Sequence, residues 1–143
     1  MRGSNRWKNN WRIVRPPEGV RVDLGRGRVR RQASRHTLRA LPPGTPVVLV
    51  ASAPGAARRC RAFASETGID LRREYLAFPS AETPAYLVES APAAASLFVK
   101  HVLAAPPRSP LFIRAGVTLL RRFGTWPVIR ALAPGRVAVG RTT

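Results

Sequence analysis

Apolar residues follow three different patterns along this chain, and each predicts a different element. Pro46-Val47-Val48-Leu49-Val50 is a short unbroken run rich in β-branched side chains. Such a run fits a strand of a parallel sheet covered on both faces. Val20, Val22 and Leu24 alternate with Arg21 and Asp23, the period of a half-buried strand. Gly25-Arg26-Gly27 can turn that strand back, with Val29 resuming on the return, so a β-hairpin is expected there. Ala56, Cys60 and Phe63 recur at i, i+4 and i+7, which predicts a helix with one apolar stripe. Ser52-Ala53-Pro54-Gly55 offers a capped start for it, and Gly68 a left-handed stop. A further strand is predicted over Arg72–Phe78, closed by Pro79 because proline donates nothing to a ladder. Leu41 to Pro79 thus forms a β-α-β unit, a parallel strand pair bridged by the Cys60 helix.

The remaining elements hang on this unit. Leu41-Pro42-Pro43-Gly44 marks its entry. Ala85–Glu89 adds a short strand. Ser90-Ala91-Pro92 opens a helix running to Leu103, where Pro106-Pro107 stops it. Leu111–Phe123 forms another helix, with Arg114, Thr118 and Arg121 on one stripe and Gly124 at its end. Trp126–Leu132 makes one or two amphipathic turns, and Pro134-Gly135 leads to a last strand over Arg136–Gly140. Residues 30–39 fit a loop or frayed helix. Residues 1–18 fit an arm, or an edge strand at Trp11–Val14. There is no internal repeat. The expected fold class is α/β: a partial sheet with a β-α-β core, additional C-terminal helices and a basic N-terminal hairpin or arm. Residues 1–40 make up the arm and possible hairpin, and 41–143 the α/β domain.

Length and charge refine this picture. A chain of 143 residues is one domain's worth, long enough to bury roughly two thirds of its unfolded surface. The formal net charge is +18 and is uneven. Residues 1–40 hold 12 basic and 2 acidic side chains, 41–105 hold 6 and 5, and 106–143 hold 7 and none. Cationic flanks around a near-neutral centre attract nucleic acid, another polyanion or an anionic lipid surface. A GC-rich gene would accumulate arginine, alanine, proline and glycine for codon reasons, so the excess has a compositional explanation as well as a functional one. One cysteine excludes an internal disulfide. The basic N-terminus lacks an apolar signal region, and no apolar run is long enough to span a bilayer. The expected compartment is the cytoplasm.

LPPGTPVVLV, a helix closing at Thr67-Gly68-Ile69, and REYLAFPS together resemble the C-terminal half of the class I S-adenosylmethionine-dependent methyltransferases. The residues that carry the resemblance are Leu41, Pro43, Gly44, Val47–Val50, then Tyr75, Phe78 and Pro79. APGRVAVGRTT resembles the last, antiparallel strand of that family. The resemblance covers about residues 41–80 and 134–143, and it implies a Rossmann-like sheet. In that family an acidic residue and a glycine-rich turn of the first half bind the cofactor. The one candidate here is Asp23 with Gly25 and Gly27, but only about twenty residues separate it from Val47, where the family has three further βα units. What the resemblance implies is a methyltransferase-like domain without a recognisable cofactor-binding half, not catalytic alone, with S-adenosylmethionine a cofactor only if that half comes from elsewhere. Apart from the resemblance, a hairpin turn is the default role of Gly25 and Gly27.

No complete catalytic constellation stands out, and no catalytic residue is named. His36 and His101 are far apart, and one cysteine with two distant histidines supplies no metal site. Cys60, flanked by Arg59 and Arg61, is a thiolate candidate by its neighbours and a core thiol by its place on the Ala56–Phe63 stripe. Glu66 and Glu74 are expected to pair with Arg59, Arg72 or Arg73. Ser52–Gly55 lies where α/β proteins bind ligands, and the helix start there is either an anion site or a capped turn. Arg6, Trp7, Lys8, Trp11 and Arg12 interleave cations with indoles, a pattern that suits a single-stranded nucleic-acid-binding arm, a disordered arm, or tryptophans packed on the domain. Leu111–Leu132, apolar with Arg114, Arg121, Arg122 and Arg130, suits either an anionic membrane surface or a core helix with a solvated stripe.

Overall fold

The computed structural model of the chain describes residues 18–25, 37–82, 84–105 and 107–143. Strand β1 is Val20–Asp23, β2 is Pro46–Ser52, helix α1 is Ala56–Thr67 and β3 is Ile69–Phe78. Strand β4 (Tyr86–Glu89) leads into helix α2 (Pro92–Leu97), which loosens into a π-helical turn over Phe98–Val102. Helices α3 (Leu111–Phe123) and α4 (Trp126–Leu132) precede the last strand, β5 (Gly135–Thr142). The described residues form a mixed α/β structure built on one five-stranded sheet in the order β1-β2-β5-β3-β4.

Strand β2 forms because five apolar residues in succession have somewhere to go on both faces: Val47 to Ala51 are all buried. Its neighbours differ from the sequence expectation. The β-α-β unit exists, but its two strands do not touch. Strand β5 lies between them, antiparallel to β2 from Pro46↔Arg141 to Ser52↔Gly135 and antiparallel to β3 from Ile69↔Thr142 to Ala77↔Gly135. The periodicity of β2 registers burial on two faces and says nothing about which strand lies alongside. Strand β1 pairs parallel with β2, with Val22 opposite Leu49. Among the described residues it is the outermost strand of the same sheet; the Val29 return of the expected hairpin, like the Trp11–Val14 strand, lies outside the described residues.

A bulge keeps β3 in phase. The register shifts between Leu71 and Arg73, so the extra residue, Arg72, lets Leu71 and Leu76 point to the same face despite their odd spacing. On that face α1 packs Cys60, Phe63 and Ala64 against Val47, Leu49, Ala51 and Ala138. Farther along, Leu76 and Phe78 pack against Ala95, Phe98, Val99 and Ile129 of α2, its π turn and α4, with the Phe78 and Phe98 ring centroids 4.8 Å apart. Val48, Val50, Ala77 and Val137 fill the opposite face, also buried.

Helix α1 ends as its sequence dictates. Gly68 adopts φ 68°, ψ 36°, and its N–H bonds back to the Ala64 carbonyl, a left-handed stop that costs a β-carbon-free residue nothing. Its start is different. Gly55 occupies the cap position and no side chain caps the helix, so Ser52 has no capping role. Helix α2 is shorter than its sequence span because the Leu103 N–H reaches the Phe98 carbonyl, five residues back, at 2.8 Å. Helix α3 runs as expected but buries no residue at all. The core-helix expectation therefore fails for it.

Candidate functional site

The strands β1 and β2 both end at the same edge of the sheet, and a cleft of about 200 Å³ opens there, lined by Arg21, Asp23, Gly25, Val50, Ser52 and Glu82. Alternation explains the membership. Arg21 and Asp23 share a face two residues apart, Val22 turning to the core on the other, and the register sets Asp23 beside Val50. Ser52 is two residues farther along the same face of β2. The Leu24 N–H donates to the Val50 carbonyl at 2.7 Å, carrying the pairing one residue past β1 and fixing Gly25 at the rim.

Within the cleft the Arg21 guanidinium donates from Nε and Nη2 to Asp23 Oδ1, at 3.2 and 3.0 Å. Asp23 and Glu82 are exposed and Arg21 half-buried. The two carboxylates are suited to accept hydrogen bonds from hydroxyl or ammonium groups of a ligand, beside one guanidinium that donates and an apolar floor at Val50. Glu82 arrives from the loop after β3, which crosses over the start of β5. A β-carbon on Gly135 would stand 2.5 Å from the Ala81 β-carbon and 2.7 Å from its backbone nitrogen. Only glycine at 135 lets the loop come that close.

Below the cleft, Arg59 of α1 reaches back to the chain that links β2 to α1. Its Nη1 donates to the Pro54 carbonyl at 2.7 Å and its Nη2 to the Ser52 carbonyl. Both carbonyls, left over where the strand gives way to the helix, are thereby satisfied. The expected helix-start site at Ser52–Gly55 is thus held by a cation of the chain itself.

A second polar cluster lies on the helical face. Arg136 of β5 is 4% exposed. Its Nη1 donates to Ser90 Oγ at 2.7 Å and its Nη2 to the Arg130 carbonyl at 3.1 Å, with Glu74 Oε2 3.8 Å away. Arg61 forks onto the same Glu74 carboxylate at 2.8 and 3.1 Å. Glu74 therefore pairs with Arg61 and Arg136, not with Arg59, Arg72 or Arg73; Arg72 instead faces Asp70 at 3.4 Å. Burial lowers the Arg136 pKa, with Glu74 opposing. The hydrogen bonds from Arg61 to Glu74 raise that of Arg61.

The cleft brings together Asp23, Gly25 and Ser52 of the sequence-expected positions. It adds Arg21, Val50 and Glu82, which sequence reasoning did not single out; the signal available was Arg21 sharing a strand face with Asp23. Cys60 is a core thiol: burial pushes it up to about 12 from an ordinary 9.0, Glu74 adding to the rise, which keeps it from acting as a thiolate at neutral pH. His101 is exposed on the π turn and does not line the cleft. Gly27, His36 and the arm residues Arg6, Trp7, Lys8, Trp11 and Arg12 lie outside the described residues. Among the described residues, no three or more His, Cys, Asp or Glu side chains come together as a metal site would require.

Comparison with protein-family models, with curated proteins and with solved structures finds no match to this chain.

Proposed function

We propose that the chain is the sheet-completing part of a methyltransferase-like, Rossmann-like α/β domain, and that it transfers methyl groups only when a cofactor-binding half joins it. The observation that carries this reading is β5. The resemblance implies a last antiparallel strand, and β5 is antiparallel to β2 on one side and to β3 on the other. The segments on which the resemblance rests are thus neighbours in one sheet, although residues 81–133 separate them in the chain. The cleft at the carboxyl ends of β1 and β2 adds to it, since open α/β sheets take their ligands outside those ends. Asp23, Gly25 and Ser52 would there contribute one wall of a site whose other wall is supplied by the missing half. With S-adenosylmethionine bound, the chemistry is transfer of a methyl group from a sulfonium, in which alignment of donor and acceptor does most of the work.

Calorimetric titration of S-adenosylmethionine into the chain tests the reading. No heat is expected at millimolar ligand, because one wall does not make a site. The DNA around the Met1 codon supplies the positive arm: an adjoining or nearby frame encoding a glycine-rich strand-turn-helix is expected. Saturable cofactor binding by the chain alone, or a neighbourhood with no such frame, overturns it.

A further inference from the structure

Helix α3 presents its apolar residues to solvent. Phe112 is 75% and Phe123 66% exposed, and Leu119 stands with them; at i, i+7 and i+11 the three form one stripe. The helix is held to the domain by its other flank. Leu120 packs on the cluster around Phe98 and Ile129, and Arg121 Nη2 donates to the Lys100 carbonyl at 2.9 Å. A helix of 13 residues with none of them buried is marginal in water on local propensity alone.

The charge around the stripe says what covers it. From residue 90 to 143 the chain carries Lys100 and seven arginines and no acidic side chain. Arg122 flanks the stripe, its guanidinium 5.6 Å from the centroid of the Phe123 ring, whereas Arg114 and Arg121, two residues on from Phe112 and Leu119, lie on the opposite side of α3. A second copy of the chain would match the apolar stripe but bring like charges together. A polynucleotide would match the arginines and leave Phe112 and Leu119 in water. An anionic bilayer surface matches both, its acyl boundary taking the stripe and its headgroups the cations. Among the described residues no helix is long and apolar enough to cross a membrane, so this geometry is that of a helix lying in the interface.

We infer that α3 docks the protein on an anionic lipid bilayer, inserting Phe112, Leu119 and Phe123 with Arg122 against the headgroups. This inference is independent of the methyltransferase reading. Flotation of the full chain with vesicles tests it. The protein should float with vesicles containing phosphatidylglycerol and stay below with phosphatidylcholine alone. Phe112→Ser with Leu119→Ser should keep the helical circular dichroism, since neither side chain is buried, and weaken binding by about tenfold or more. Arg122→Gln should cost about fivefold and Arg114→Gln, on the far side of the helix, less than that, and added salt should weaken the wild type further. Should the serine variant lose its fold, Leu119→Trp provides the second arm: its added fluorescence should be quenched by brominated acyl chains. Equal flotation with neutral lipid, undiminished binding by a folded serine variant, an unquenched Leu119→Trp, or a concentration-dependent dimer that does not bind vesicles would each overturn the inference.

Discussion

Phe63 and Phe123 are the same residue in helices of similar length, and their situations are opposite. Phe63, in α1, is 2% exposed against the β2–β5 face, while Phe123, in α3, is 66% exposed. Both helices are amphipathic, and periodicity predicts both. The difference lies in what each meets. The α1 stripe is opposed by Leu49, Ala51 and Ala138 of the sheet, whereas most of the α3 stripe is opposed by nothing among the described residues. An apolar stripe tells where a helix wants a partner. It does not tell whether the partner belongs to the same chain.

The largest effect that would break this contrast is its direct test. Phe63→Ala should cost about 3–5 kcal/mol and Phe123→Ala no more than about 0.5 kcal/mol, both read from urea melts in the absence of lipid. Equal costs would mean that α3 is packed in solution after all. Next comes Arg136, which ties the two helical patches of one sheet face together through Glu74, Arg61, Ser90 and the Arg130 carbonyl. Arg136→Ala should destabilise by about 3 kcal/mol, because it leaves Glu74 half-buried with one partner fewer. The exposed Arg114→Ala should do almost nothing by the same measurement. The smallest effect is a slope. Burial holds the Cys60 thiol protonated in the folded state up to about 12, against 9.0 when unfolded. The unfolded chain thus releases its proton first as pH rises. Stability from this group is complete below pH 9 and declines above it by about 1.4 kcal/mol per unit until the folded thiol titrates. Cys60→Val should remove that decline relative to wild type in alkaline melts.

Most element boundaries were legible in the sequence, because Gly68, Pro79, Gly124 and the Pro-rich turns act locally. What was not legible is everything that depends on neighbours in space. Nothing in Arg136–Gly140 announces insertion between β2 and β3, since an antiparallel partner leaves no periodic mark that a parallel one would lack. The Arg72 bulge is an event of register. Arg136 has the composition of a solvated strand end, and its burial is made tolerable by the Arg130 carbonyl together with the carboxylate of Glu74 and the hydroxyl of Ser90, the last two 46 and more residues distant in sequence. The cleft was half visible: Asp23 stood out as an acid at the end of an alternating strand, but Glu82 comes from a loop whose course depends on Gly135.

The seat of β5 has one more consequence. Of the five described strands it is the last in sequence to leave a ribosome and the middle one in the sheet. Until it emerges, β2 and β3 have no shared partner, and their inner edges stay open to whatever else is nearby. A nascent or truncated chain that stops short of residue 135 would therefore be split down its centre rather than frayed at a margin, leaving two sticky halves for chaperones to shield.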